Sequence, residues 1–373
     1  MSNNTIEINN IIEVEQPLGT FLVVKMSPED LLCISCPDAR SYNPELEEYI
    51  GIQRDIKQSK VRGIKEFINT ADATIPNTII GVLSQDYYTY DRDNNKLYIL
   101  KDENAFKIID GQHRLKAFDG TLHLQGKFEL VVTIFLDADI SDQSYIFSII
   151  NTTQSKLDPS LVQDLTELSK ITTPENIVHA IAKVFNTETD SPWYQHIKML
   201  GKKDQTSVNG IISQYSFNKS ILRYIYSRKD INKIRDILIK NNDNREKLKN
   251  LDIDTKKYIF WNYYLNNQEN IIYKILKTYF SALKEVFLDK WCSPDSIMCK
   301  TSGYDAFMRL FEDFYKYTDE DKINTLTNLD FYKNILNNFK AVDIDADANK
   351  LGSAGAANLY KILKEIFPKK ENS

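Results

Sequence analysis

Strand signals stop near residue 160, and that break limits the architecture more than any single motif does. Before it, β-branched and apolar runs at 20–26, 78–83, 96–100, 106–109 and 128–136 read as strands. In the last of these, Leu130, Val132, Ile134 and Leu136 alternate with Val131, Thr133 and Phe135, the period of a half-buried strand. Between the runs, 55–68 sets Ile56, Val61, Ile64, Phe67 and Ile68 near helical spacing. Ser141 is expected to cap a helix carrying Tyr145, Ile146, Ile149 and Ile150 on one face. After the break, 161–186, 208–240, 255–290, 304–316 and 331–341 all read as helices rich in Leu, Ile, Phe and Tyr, and the charged stretch 243–249 reads as a connector. The expectation is an α+β chain in three parts: a flexible N-terminus at 1–15, a mixed α/β domain at 16–160 and an all-α domain at 161–373.

Charge narrows the partners. With 47 Lys and Arg against 52 Asp and Glu, the net charge of −5 gives no global basic signature, so any nucleic-acid contact must come from a local patch. One such patch exists. Residues 219–250 hold ten Lys or Arg against four acids, led by Lys219, Arg223, Arg228, Lys229, Lys233 and Arg235. A solvated helix face accounts for such a run, and a phosphate-contacting surface is the alternative. The cysteines at 33, 36, 292 and 299 lack the pattern of a disulfide framework. Although Cys33 and Cys36 have zinc or redox spacing, no histidine lies near them in sequence, so reduced thiols are expected. The N-terminus has no apolar leader, and no run approaches the length of a membrane span; a soluble, cytoplasmic protein is expected.

Three polar clusters break the local pattern. Gln53 and Arg54 open the helix at 55–68, where Arg54, Gln58 and Arg62 share a face. Asp110, Gly111, Gln112, His113 and Arg114 fill the turn between a strand and a helix, which needs only the glycine and a capping aspartate. Asn151, Thr152, Thr153, Gln154, Ser155 and Lys156 separate two apolar helices without a Gly or Pro. Each cluster alone has a structural explanation in capping or ion pairing. Their shared position at element edges of one α/β unit points to a common polar site. There Arg54 and Arg114 could hold phosphate through bidentate contacts, helped by exposed amides around Gly111. A Walker loop is absent, no Ser-His-Asp or Cys-His arrangement stands out, and His123, His179 and His196 lack partners at metal-ligand spacing, so no protein-built metal site is expected.

The run 109–114, with Gln53-Arg54, Ile75-Pro76-Asn77 and the block 150–157, resembles the DGQHR-domain family, which includes DndB and DpdB proteins of DNA-modification systems. Ser191-Pro192-Trp193, Thr301-Ser302-Gly303-Tyr304 and Gly352-Ser353-Ala354-Gly355 are fainter matches, extending the likeness over roughly residues 15–365. The resemblance implies a ParB/sulfiredoxin-like first domain, a helical partner domain and a prokaryotic DNA-modification or phage-defence setting. Its polar positions map onto Arg54, Asp110, Gln112, His113, Arg114, Asn151 and Gln154.

Two functions follow as expectations. As a DNA-binding regulator or accessory factor, the chain would meet phosphates through Gln53, Arg54, Gly111, Gln112, Arg114, Asn151 and Gln154 and through the basic segment, with modification-system proteins as partners and a homo-oligomer as one expected state. As a nucleoside triphosphatase, it would bind a nucleotide with Mg²⁺, using Asp110 on the ion or water and His113 as acid or base. A ParB-like nuclease ranks behind both, because only Asp110 is placed to hold metal. The regulator reading ranks first: a polar site is visible, whereas a full catalytic set is not.

Overall fold

The computed structural model describes residues 4–36, 40–43, 48–51, 56–70, 73–121, 128–154, 159–291, 293, 296–318, 321–345 and 353–369. Helices predominate and strands fill a smaller share, in an α+β fold whose C-terminal region is helical. The chain divides into two compact units, 1–157 and 158–373.

The first unit carries the strands: β1 (Thr5–Asn9), β2 (Ile12–Gln16), β3 (Gly19–Met26), β4 (Ser35–Cys36), β5 (Ser41–Asn43), β6 (Glu48–Ile50), β7 (Ile79–Leu83), β8 (Tyr88–Asp91), β9 (Lys96–Leu100), β10 (Phe106–Asp110) and β11 (Leu130–Leu136). Its helices are α1 (Pro28–Ile34), α2 (Gln58–Ile68), α3 (Gln112–Lys116) and α4 (Ile140–Gln154). Six strands form one sheet in the order β2-β3-β11-β7-β10-β4, with β11 parallel to β7 and β10 antiparallel to β7. The alternation read along β11 is the one found, since Leu130, Val132 and Ile134 enter the core beside Leu22, Val24, Ile79 and Ile108. Gly81 is obligatory on β7, because an added Cβ would lie 2.4 Å from the Phe106 ring and 2.5 Å from the Lys107 carbonyl oxygen.

Several sequence expectations need correction. The N-terminus at 1–15, expected to be flexible, instead carries β1 and all but the last residue of β2; Ile6 and Ile8 are buried on the small antiparallel sheet β1-β9-β8, and β2 pairs along β3. The cap of α4 is Asp139 rather than Ser141, its Oδ1 accepting from the Asp142 N–H at 3.0 Å. On α4 the buried apolar pair is Ile146 and Phe147, while Tyr145 and Ile149 are exposed. Asn151 to Gln154, expected to interrupt that helix, form its last turn.

In the second unit the long helical segments break into shorter helices: α5 (Pro159–Asp164), α6 (Pro174–Thr187), α7 (Gln214–Leu222), α8 (Ile231–Lys240), α9 (Trp261–Leu265), α10 (Glu269–Val286), α11 (Thr301–Tyr317), α12 (Lys322–Leu326), α13 (Leu329–Leu336) and α14 (Ser353–Ile366). A two-residue parallel pair joins β12 (Ile197–Lys198) to β13 (Ile212–Ser213). The expected connector at 243–249 largely forms a 3-10 turn. There the buried Arg245 donates to the Tyr264 carbonyl, pairs with Glu269 and stacks 4.6 Å from the Tyr264 ring centroid. Aromatic rings build this core. Trp193 meets Phe217, Phe280 and Tyr304 edge-on, and the buried hydroxyls of Tyr304 and Tyr279 donate to the carbonyls of Phe217 and Phe307.

Candidate functional site

The turn from β10 to α3 starts with a bulge. The β10–β7 register slips between Ile108 and Asp110, so one extra residue re-aims Asp110 as the strand ends. Gly111 follows at φ +102°, a backbone most side chains avoid, and a Cβ there would sit 2.5 Å from Ile79 Cδ1. Then α3 begins, packed against β7, α1 and α2.

Within this turn the polar side chains serve one another. Arg114 reaches back one helical turn to form an ion pair with Asp110, both partly buried. His113 Nε2 accepts a 3.0 Å hydrogen bond from the backbone N–H of Lys57, the residue just before α2, whose own side chain makes no cap. An imidazole therefore does the capping work that Ser or Asp usually does. Gln112 is buried. The expected proton-transfer residue is an acceptor fixed on a helix end, and the expected metal or water holder is neutralised by its neighbour. The Nε of Arg114 is buried without a hydrogen-bond partner among the described residues. The helix α3 that follows Gly111 is five residues long.

Of the other two clusters, Asn151 and Gln154 lie in the last turn of α4, a helix that packs on β10 in the same unit as the turn; their side chains are outside the description. Gln53 and Arg54 lie outside the described residues, as does His123. Arg62 and Gln58 are exposed on α2.

The basic segment sorts into two groups. Arg223 pairs with Asp305, which also holds Arg309 at 3.0 Å, so its guanidinium links α7 to α11. Lys219 and Arg228 are exposed and converge on one ring, with Lys219 Nζ 6.0 Å and the Arg228 guanidinium 5.7 Å from the Tyr215 centroid. Lys229 and Lys233 follow, both exposed, and Arg235 is half-buried.

Sequence reasoning missed a different group. Asp164 at the end of α5, Glu167 on the next 3-10 turn and His179 on α6 each offer an atom within 4.8 Å of the other two. The His179 ring is buried, its Nε2 lying 3.3 Å from Glu167 Oε2 and its Nδ1 against the amide of Gln214, the first residue of α7. His179 beside Glu167, with Lys183 adding to it against the cost of burial, holds that carboxyl down at about 2. The Asp-x-x-Glu spacing was readable; that a histidine twelve residues later would close on it was not.

A family model for proteins described as associated with DNA-sulfur modification matches residues 12–200, from β2 through the 110–114 turn into the helical unit. That match defines the class: a protein associated with DNA-sulfur modification. The chain belongs to the DndB family. No curated protein and no solved structure matches it. No helix among the described residues is long and apolar enough to cross a membrane.

Proposed function

We propose that the protein is a DNA-binding regulator or accessory factor of a DNA-sulfur modification system, and that it engages the phosphate backbone through cations around Tyr215. The observation that carries this reading is the convergence of the exposed Lys219 and Arg228 on the half-buried Tyr215 ring, with Lys229 and Lys233 next in the chain. A ring that holds two cations in place lowers the ordering cost of a phosphate contact. This patch lies beyond the family match at 12–200, so it would adapt the family's role to this chain rather than define it. Asp110, Gly111 and His113 then serve as the scaffold of the turn.

The test is duplex binding by gel shift or anisotropy across salt concentrations, using DNA from the modification operon. Affinity should fall steeply with salt. Replacing Lys219, Arg228, Lys229 and Lys233 together by Ala should flatten the log–log slope by roughly 0.9 for each phosphate that is no longer neutralised. Salt-indifferent binding, or an unchanged slope in the variant, would refute the reading. The buried Nε of Arg114, without a hydrogen-bond partner among the described residues, favours a second reading, a nucleotide pocket at the turn. Saturable ATP, CTP or GTP binding with Mg²⁺ that Arg114→Met abolishes would put that reading first.

A further inference from the structure

The cluster on α5, α6 and α7 has the geometry of an ion site. A tetrahedral site with bonds of about 2.0–2.1 Å has edges of roughly 3.3–3.4 Å. His179 Nε2 and Glu167 Oε2 are already 3.3 Å apart. The Asp164 oxygen lies within 4.8 Å of both, so a shift of no more than about 1.5 Å completes a face of that tetrahedron. We propose that Asp164, Glu167 and His179 bind one divalent first-row transition ion, Zn²⁺ or Mn²⁺, with its remaining positions open to the adjoining cavity.

Three features support the assignment. One imidazole with two carboxylates suits these ions better than Ca²⁺ or Mg²⁺, which prefer oxygen alone. A cavity of about 280 Å³ opens beside the cluster, lined by Glu167 and His179 together with Ser169, Thr172, Asn176 and Lys183. It leaves room for water or a small anionic ligand on the ion. Gln214 supplies the outer support: its amide lies on His179 Nδ1, and its Oε1 is buried without a partner among the described residues. Turning that amide over, which changes no heavy-atom position much, brings Oε1 to accept Nδ1–H and frees the Nε2 lone pair for the ion. Lys183 stands 2.5 Å from the other Glu167 oxygen, Oε1, and its exposed ammonium can swing toward solvent when the ion enters.

The experiment titrates metal-free full-length protein with Co²⁺, followed by visible absorption, and with Zn²⁺, followed by elemental analysis after desalting. Wild type should take up a single ion, and Zn²⁺ should raise its melting temperature. Glu167→Gln and His179→Gln should lose the ion, while Gln214→Leu should weaken it by roughly 10–100-fold. Circular dichroism reports folding; if His179→Gln unfolds, Glu167→Gln decides, because its side chain is exposed. A wild type that retains no ion, or a folded Glu167→Gln protein that keeps wild-type affinity, overturns the site. Retention in that variant would place the ion elsewhere, for example at the free thiol of Cys33.

Discussion

The polar turn at 110–114 and the cluster of Asp164, Glu167 and His179 are assembled in opposite ways. The turn draws its groups from five consecutive residues, and the chain spends them on itself: Arg114 on Asp110, His113 on the start of α2. The cluster collects its donors from separate elements and sets them beside a cavity. Polar residues adjacent in sequence have close partners at hand, so their chemistry is easily used up by local geometry. Groups gathered by packing converge on a point, and convergence is what a ligand needs.

The largest expected effect breaks the turn. Gly111→Ala forces a Cβ into positive φ and against Ile79, so it should cost about 2–4 kcal/mol, adding backbone strain to overpacking. Urea unfolding measures this. A loss under about 1 kcal/mol would mean that the turn is pliable, and the contrast with the cluster would weaken.

The Asp110–Arg114 pair ranks next. Asp110→Asn and Arg114→Met should each destabilise by about 1–3 kcal/mol, since each leaves a partly buried partner without its ion. Together they should cost less than the sum. Additive losses would show that the two groups answer to something other than each other, and a ligand would then return as the explanation. His113→Ala should act in the same structural sense through the exposed end of α2, at about 1 kcal/mol.

What the sequence revealed follows the same division. Period-two alternation in β11 and the strand–glycine–helix order around Gly111 were legible because near neighbours determine them. The fainter family matches were legible as signals but not as roles. Trp193 and Tyr304 turn out to anchor the aromatic core, and Gly303 exists because a Cβ there would lie 2.1 Å from the Ile297 carbonyl oxygen. The strands at 5–16 were hidden because β1 and β2 owe their order to partners elsewhere in sequence, β9 and β3. Arg223 looked like a free cation because Asp305 is 82 residues away. His179 looked partnerless because helix packing supplies both of its neighbours.

The smallest expected effect concerns the cluster. Glu167 has its carboxyl held well below the ordinary 4.5, at about 2, first by His179 and then by Lys183 against the cost of burial. A carboxylate whose folded value is depressed stabilises the protein above its unfolded value and loses that contribution as pH falls through the folded one. Wild type should therefore lose stability between about pH 4.5 and 2 in a way that Glu167→Gln does not, and their melting temperatures should converge over that window. The side chain is 37% exposed, so solvent screens the interaction and the gap at neutral pH should be modest. Adding Zn²⁺ at neutral pH should widen it, because only wild type keeps the full ligand set. A gap that stays constant down the acid range, and that Zn²⁺ leaves unchanged, would reduce Glu167 to a surface partner of Lys183. The cluster would then resemble the turn, with its charges consumed where they stand.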